Sequence, residues 1–128
     1  MTTIQVRFAE TDAMGVVHHS NFFRYFEVAR VEWLKNAGAS YKEWVEKGIH
    51  LPVICASCDF KKPARFDDIL TVKAKPKREK ARVIFDYEVR LKGTEELLAT
   101  GTTSHVPVNF ELKIVRLPEL WAKLIDAK

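Results

Sequence analysis

Between residues 6 and 30 the chain carries side chains suited to acyl-group chemistry. A carboxylate, Asp12, precedes two adjacent histidines, His18 and His19, and Gly15 between them lets the chain fold back. A carboxylate in a loop can attack a carbonyl carbon or activate a water molecule. The residues alone also fit a simpler interpretation, because TDAMG is good turn chemistry and Asp12 could cap that turn.

A long helix is predicted directly after this stretch. No Gly or Pro lies between Ser20 and Ala37, and apolar residues recur there at helical spacing: Phe22, Phe26, Ala29, Trp33 and Ala37. Ser20 is a suitable N-cap, and Gly38 is a suitable residue beyond the C-cap. The first N–H groups of a helix lack intrahelical partners, and the helix dipole favours negative charge there. We therefore expect the backbone N–H of His19, or a neighbouring one, to stabilise an oxyanion.

Other polar residues have simpler interpretations. His19 could cap the helix or fill the core. Glu27 and Arg30 lie three residues apart, which on a helix ordinarily gives a surface ion pair. His50 and His105 complete no ligand pattern, so we expect no metal site.

The rest of the chain predicts an α+β fold. Apolar alternation or apolar runs indicate strands at residues 4–8, 50–60, 69–75, 81–91, 97–108 and 110–117. One face of the fourth strand is apolar: Val83, Phe85, Tyr87, Val89 and Leu91. Short helices are indicated at residues 40–48 and 118–127. One long central helix and about five strands, mostly antiparallel, predict a curved sheet wrapped around the helix.

Length and composition predict one globular domain over residues 1–128. Of the 128 residues, 47% are hydrophobic and 30% are charged. No segment approaches the roughly 18–20 apolar residues of a membrane helix, and no secretory signal is visible. We therefore expect a cytoplasmic protein without a membrane span. So small a domain leaves much of its surface exposed, and oligomerisation would bury more of it.

The net charge of +4 is concentrated in residues 73–82, which carry six basic side chains and one acidic one. This basic segment could bind an anion. It could equally be a strand edge that lysines protect from aggregation. Because the segment has no aromatic residue on which bases could stack, we expect no nucleic-acid partner.

Cys55 and Cys58 form a C-x-x-C pair within a predicted strand. Residues three apart on a strand point to opposite faces, whereas a redox or zinc site needs its thiols close together. We therefore expect packing thiols without redox or metal function.

The stretch VRFAETDAMGVVHHSNFFRYFEVAR, residues 6–30, resembles the signature of the 4-hydroxybenzoyl-CoA thioesterase family. It is especially similar to the branch of short bacterial acyl-CoA thioesterases associated with the Tol-Pal system. The residues that match are Thr11, Asp12, Gly15, Val16, Val17, His19, Phe26, Glu27, Ala29 and Arg30. Residues 60–72 are similar to a strand pair in the middle of that family's chain. Two positions differ, because the branch usually has Tyr where His18 stands and often where Phe22 stands.

The resemblance implies a hot-dog fold and the hydrolysis of an acyl-CoA to free acid and coenzyme A. It implies Asp12 as the nucleophile or general base and His19 as a second catalytic residue. The substrate-binding residues that it implies are Gly15, Val17 and His18, with Arg78, Lys80 and Arg82 for the phosphates of coenzyme A. No cofactor is expected.

The resemblance also implies a homodimer or homotetramer with active sites at the subunit interface. The sequence leaves open the acyl chain, and whether the carrier is coenzyme A or acyl carrier protein. Two alternative functions stay open. A hot-dog dehydratase or hydratase would transfer protons through a histidine and an acidic residue, nominally His19 and Glu27. A non-catalytic module would bind acyl groups or nucleic acid through the basic segment.

Overall fold

The computed structural model describes residues 1–127, which form three α-helices and one five-stranded sheet. The strands are β1 (Thr2–Gln5), β2 (Val53–Phe60), β3 (Ile69–Glu79), β4 (Arg82–Leu91) and β5 (Leu97–His105). The helices are α1 (Ser20–Asn36), α2 (Tyr41–Glu46) and α3 (Glu119–Asp126), and a 3-10 turn covers Phe8–Glu10. Neighbouring strands are all antiparallel, in the order β1-β3-β4-β5-β2. The predicted α+β architecture is confirmed.

The long helix α1 packs on the sheet through the apolar stripe that its sequence predicts. Phe22, Phe26 and Ala29 are all buried. The Phe26 ring stacks on Tyr87 of β4, with 4.4 Å between the ring centroids. β5 passes beneath this ring at Gly101, where a Cβ atom would overlap the Phe26 side chain. Glycine at this position is therefore what lets α1 lie so close to the sheet.

The two faces of the sheet differ as the alternation in β4 predicts. The inward residues of that strand are buried: Val83, Phe85, Tyr87 and Val89. The outer face of β3 and β4 carries charged side chains, and Lys77 and Asp86 form an exposed ion pair with 3.6 Å between Nζ and Oδ2. Because exposed pairs of this kind contribute little to stability, the packing of the inner face holds the fold together.

A chain of hydrogen bonds runs through the buried region between α1 and the sheet. Arg30 Nη1 donates to the Tyr87 hydroxyl at 3.2 Å, and that hydroxyl lies 2.7 Å from Thr103 Oγ1. Thr103 Oγ1 is 2.8 Å from His105 Nε2, and His105 Nδ1 is 3.0 Å from the Leu51 carbonyl oxygen. A neutral His105 with its proton on Nδ1 satisfies every one of these contacts. Burial, reinforced by the positive charge of Arg30, lowers the pKa of His105 to about 4.

Strand β2 lies at the edge of the sheet and is exposed along almost its whole length. The strand predicted at residues 50–60 is confirmed over Val53–Phe60, but the prediction that both cysteines are packing thiols is wrong for one of them. Cys55 is exposed and Cys58 is half-buried, because no further layer covers this edge. Val53 and Ile54 are 48% and 47% exposed. An exposed apolar edge strand is the kind of surface that another chain covers.

Two strand predictions differ from the structure. The first strand covers Thr2–Gln5 rather than residues 4–8, since the chain leaves the sheet and enters the 3-10 turn. Residues 110–117 form no strand, because Asn109 Oδ1 accepts from two N–H groups within the segment and bends it into a tight turn.

The two short helices are confirmed as α2 and α3. None of the helices in the described part of the chain has the length and hydropathy needed to cross a membrane.

Candidate active site

Asp12 lies in a tight hairpin that covers residues 11–17. Thr11 pairs with Val17 across the hairpin, and the Asp12 N–H donates to the Val16 carbonyl at 2.9 Å. Gly15 closes the turn with a φ of +79°, a left-handed conformation that favours glycine. Its N–H donates to the Asp12 carbonyl at 2.9 Å. The chain therefore folds back at Gly15, as its sequence predicts.

The Asp12 carboxylate is half-buried and uses one of its oxygens in this turn. Oδ1 accepts from the Met14 N–H at 2.8 Å, which is the turn-capping role that the residues alone suggest. Oδ2 has no hydrogen-bond donor among residues 1–127. Turn capping and chemistry are therefore compatible, because one oxygen orients the carboxylate and the other has no donor in the described part of the chain.

The N-terminus of α1 lies beside the hairpin. The His18 N–H donates to the Glu10 carbonyl at 2.8 Å, and the Ser20 N–H donates to His18 Nδ1 at 3.2 Å. The ring of His18 thus caps the helix, and Ser20, predicted as the N-cap, is its first residue. The next two N–H groups donate to carbonyls within this first turn. In the described part of the chain, the N–H of His19 has no acceptor, so it remains for a ligand.

Asp12 and His19 line the same open pocket, which has a volume of about 350 Å³. Its other lining residues are Val16, Val17, Phe22, Phe60, Lys61, Lys62 and Pro63. The Phe60 ring lies edge-on to Phe22 and to His19, with 5.3 Å and 6.3 Å between the ring centroids. The pocket therefore combines a carboxylate, an aromatic wall and two lysines.

The other residues predicted near the pocket have different positions. Val17 lines it, whereas Gly15 shapes the hairpin without lining the pocket. His18 lies next to it, with its ring 4.1 Å from that of His19. Glu27, the nominal acid of a dehydratase, is exposed on another face of α1. The structure therefore does not bring Glu27 and His19 together for proton transfer.

Sequence reasoning missed the buried carboxylate of Glu10, which is only 8% exposed. Its Oε1 accepts from the Tyr25 hydroxyl at 2.8 Å and from the Arg7 N–H at 2.9 Å. Its carbonyl oxygen accepts from Asn21 Nδ2 at 3.0 Å, as well as from His18. Burial alone would raise the pKa of Glu10, but the hydrogen bonds from Arg7 and Tyr25 outweigh it and hold the pKa below its usual value. One feature of the sequence could have predicted a buried polar partner for α1: the spacing of Asn21 and Tyr25 puts two polar groups on the buried face of that helix.

Most of the chain, including the Asp12 hairpin, α1 and strands β2 to β5, aligns with one family of proteins. Residues 6–124 match the sequence model of the Thioesterase-like superfamily. The chain belongs to this superfamily.

Named relatives align with the thioesterase over nearly its whole length. A 1,4-dihydroxy-2-naphthoyl-CoA hydrolase from Synechocystis is 34% identical over 124 residues, which cover 94% of this chain and 90% of the relative. The acyl-CoA thioesterase YbgC from Haemophilus influenzae is 28% identical over 118 residues, which cover 91% and 86%. The crystal structure of Slr0204, a 1,4-dihydroxy-2-naphthoyl-CoA thioesterase from Synechocystis, has a TM-score of 0.89 and 33% identity over 97% of this chain and 93% of that one. The chain is therefore a thioester hydrolase with the hot-dog fold, as predicted.

The basic segment of this thioesterase lies at the far end of the sheet from the pocket. Arg78 forms a bidentate pair with Asp126 of α3, at 3.0 Å and 2.6 Å. Lys80 is at the tip of the β3–β4 hairpin with a φ of +58°, and Arg82 begins β4. By the strand register, Phe60 at the pocket shares a row with Val72 of β3, whereas Arg78 shares one with Val53 at the other end of β2.

A single thioesterase chain therefore does not bring Arg78, Lys80 or Arg82 to the pocket. The basic residues that line the pocket are Lys61 and Lys62. Among residues 1–127, no cluster of three or more His, Cys, Asp or Glu side chains is placed to hold a metal ion.

Proposed function

We propose that this thioesterase hydrolyses an acyl-CoA to a free acid and coenzyme A, with Asp12 as its central carboxylate. One observation carries the proposal: Asp12, which keeps one oxygen without a donor in the described part of the chain, and His19, whose N–H has no acceptor there, line one pocket. Relatives named for acyl-CoA substrates support coenzyme A as the carrier. The match of residues 6–30 to the 4-hydroxybenzoyl-CoA thioesterase signature, in its Tol-Pal-associated form, supports that branch.

Two routes through Asp12 fit this geometry. As a nucleophile, Oδ2 adds to the thioester carbon, the thiolate of coenzyme A leaves, and water hydrolyses the resulting anhydride. As a general base, the carboxylate takes a proton from a water molecule that attacks the same carbon, and the departing thiolate receives that proton. In either route the thioester carbonyl oxygen becomes negative and accepts a hydrogen bond from the His19 N–H. The dipole of α1 also stabilises negative charge at this end of the helix. The His19 ring, on the pocket wall, orients the thioester.

The acyl group that suits the pocket is aromatic. The edge-on rings of Phe22 and Phe60 form a wall against which a flat ring can pack. The Synechocystis relatives, named for a dihydroxynaphthoyl group, support the same class of acyl chain. A thioester panel that varies chain length, aromaticity and carrier distinguishes this class, and separates coenzyme A from acyl carrier protein.

The exposed edge of β2 supports a homodimer, which a second interface would extend to a tetramer. Val53, Ile54 and Phe60 expose about half of their surface there, and β2 has a free backbone edge. Val28 and Val31 on the outward face of α1 are 48% and 40% exposed. A second copy that continues the sheet from its own β2 would satisfy the backbone and cover the apolar residues.

This dimer also gives the basic segment a role. A two-fold axis at the middle of β2 makes the paired strands antiparallel, so the Val53 end of one lies beside the Phe60 end of the other. By the strand register, Arg78 shares a row with Val53, at the end of the sheet that carries the basic turn. Four strand spacings, about 19 Å, then separate Arg78 of the partner subunit from the pocket edge at Phe60. The long pantetheine arm of coenzyme A could span such a distance, so we infer that Arg78, Lys80 and Arg82 hold its phosphates across the interface.

Replacing Asp12 by Asn tests the proposal most directly. The change removes charge with almost no change in shape, so it should abolish thiol release from acyl-CoA while the fold stays intact. The matched control is Asp67→Asn, an exposed carboxylate outside the pocket, which should keep full activity. A variant that keeps more than about a tenth of wild-type kcat/KM, a loss below about 1.4 kcal/mol, would contradict the assignment. Single turnover in heavy-oxygen water would place label in Asp12 only if it attacks directly.

The single domain over residues 1–128 and the cytoplasmic location stay predictions.

A further inference from the structure

Two groups must be held at a fixed separation for the proposed chemistry, and they belong to different pieces of the chain. The Asp12 carboxylate is held by the hairpin of residues 11–17, and the His19 N–H is held by the start of α1. Glu10 contacts both pieces. It lies two residues before Asp12, and its carbonyl oxygen accepts from the N–H of His18, the residue before His19.

The side chains around Glu10 strengthen this connection. Asn21 Nδ2, in the first turn of α1, donates to the Glu10 carbonyl at 3.0 Å. One turn further along, the Tyr25 hydroxyl donates to the Glu10 carboxylate at 2.8 Å. Tyr25 is 2% exposed and Asn21 is 6% exposed, so water does not replace these bonds readily. The backbone and the side chain of Glu10 are thus both tied to the same face of α1.

We propose that Glu10 is a positioning residue for thioester hydrolysis, which acts with Tyr25 and Asn21 to set the distance between the Asp12 carboxylate and the His19 N–H. The inference rests on the proposed function of that pair. None of the three side chains lines the pocket, so they act through the hairpin and the helix rather than by touching the substrate.

The charge of Glu10 matters because every partner around it is a donor. Oε1 accepts from Tyr25 and from the Arg7 N–H, and Oε2 accepts from Arg7 Nε at 3.2 Å. A glutamine has the same shape but no charge, so the bonds from Tyr25 and the Arg7 N–H lose their charge assistance, and its NH₂ group must face Arg7 Nε in place of Oε2. Glu10→Gln therefore loosens the hairpin against α1 while leaving the packing of α1 on the sheet in place.

The position of the Asp12 carboxylate relative to the oxyanion donor is used only in the transition state. A misplacement of about 1 Å at such a site costs roughly 10²-fold in rate. Substrate affinity depends on the pocket wall and on contacts far from the thioester, which Glu10 does not make. Loss of the Glu10 connection should therefore lower kcat and leave KM nearly unchanged.

The experiment compares Glu10→Gln, Tyr25→Phe and the double variant with the wild type, in a thiol-release assay on an acyl-CoA. Glu119→Gln, an exposed carboxylate on α3, is the matched control. We expect each single variant to lose about tenfold or more in kcat, with KM within about twofold. The double variant should be no worse than the poorer single one, because the two residues act as one unit. Thermal unfolding of each variant shows that it is folded at the assay temperature.

An unchanged kcat in either single variant would overturn the proposal, and so would losses that multiply in the double variant. A purely structural role would instead lower the melting temperature and leave kcat per folded molecule as in the wild type. If Glu10→Gln does not fold, Tyr25→Phe alone still decides, since it removes one hydroxyl and keeps the ring. Asp12→Asn is measured in parallel: an active Asp12→Asn rejects the proposed function, whereas an inactive one beside a normal Tyr25→Phe rejects only this inference.

Discussion

Phe26 of α1 lies against Gly101 of β5 so closely that a Cβ atom on the glycine would overlap the ring. The contact sets the depth of α1 over the sheet, and α1 carries the His19 N–H at its start. The same ring stacks on Tyr87, so it cannot move aside without losing that packing. The absence of a side chain at Gly101 therefore helps to set the position of the proposed oxyanion donor, the His19 N–H.

We expect Gly101→Ala to lower the free energy of unfolding by about 1–3 kcal/mol, the usual cost of overpacking a core. It should also lower kcat, since the displaced helix carries the His19 N–H away from Asp12. Urea unfolding and a thiol-release assay measure the two effects. Adding Phe26→Leu, which shortens the ring, should recover part of the lost stability. A Gly101→Ala protein with unchanged stability would show that α1 can shift without cost.

The buried His105 should make stability depend on pH. Histidine in an unfolded chain titrates near pH 6.5, whereas burial lowers the pKa of His105 to about 4. Above pH 6.5 neither state binds the proton, and the full stability is present. As the pH falls from 6.5 towards 4, the unfolded chain takes up a proton that the folded chain does not, so stability is lost, by about 2 kcal/mol at pH 5.

Urea unfolding at pH 7.5 and at pH 5 measures this loss. His105→Gln should remove this part of the pH dependence, whereas His50→Gln should keep it, because His50 is not enclosed in the same network. Equal losses in wild type and His105→Gln would mean that other groups cause the dependence.

Assembly through β2 predicts that a charge on that strand separates the subunits. Ile54→Lys should give a monomer by light scattering at micromolar concentration, with reduced activity, because a lysine there would be desolvated at the interface. Leu120→Lys is the control, since Leu120 is 65% exposed on α3 and lies outside β2. A wild-type protein that is monomeric and fully active would be incompatible with this interface.

Variants in two basic regions show which of them binds the phosphates of coenzyme A. The first region is the turn between β3 and β4. Replacing Arg78, Lys80 and Arg82 by Ala should raise KM for acyl-CoA several-fold and weaken its dependence on salt. Activity on an acyl-pantetheine that lacks the nucleotide should barely change. Asp126→Asn controls for the loss of the Arg78–Asp126 pair.

A matching set of variants tests the other region, Lys61, Lys62 and Arg65. If KM responds to those changes and not to the triple variant of the turn, the phosphates bind beside the pocket. If neither set changes KM at low salt, none of these six basic side chains holds the nucleotide.

The sequence alone determined the elements whose pattern is local. The stripe of α1 and the alternation of β4 predicted which residues are buried, because a helix and a strand repeat their faces at fixed intervals. Gly15 predicted a fold-back, since its left-handed backbone is one that glycine adopts without strain. The resemblance of residues 6–30 to a known family indicated a thioester hydrolase, and it could do so because the proposed carboxylate and oxyanion donor come from one short segment.

Tertiary structure decided everything that depends on residues far apart in the chain. The cysteines of the strand at residues 50–60 were expected to pack, yet Cys55 lies on an exposed edge, because periodicity cannot say whether another layer covers a strand. Arg78 is engaged by Asp126, 48 residues away, and the basic turn lies at the opposite end of the sheet from Asp12. Glu10 is buried only because Asn21 and Tyr25 meet it across a turn of the chain. Burial and hydrogen bonding are properties of the packed molecule, so neither amino-acid composition nor residue spacing determines them.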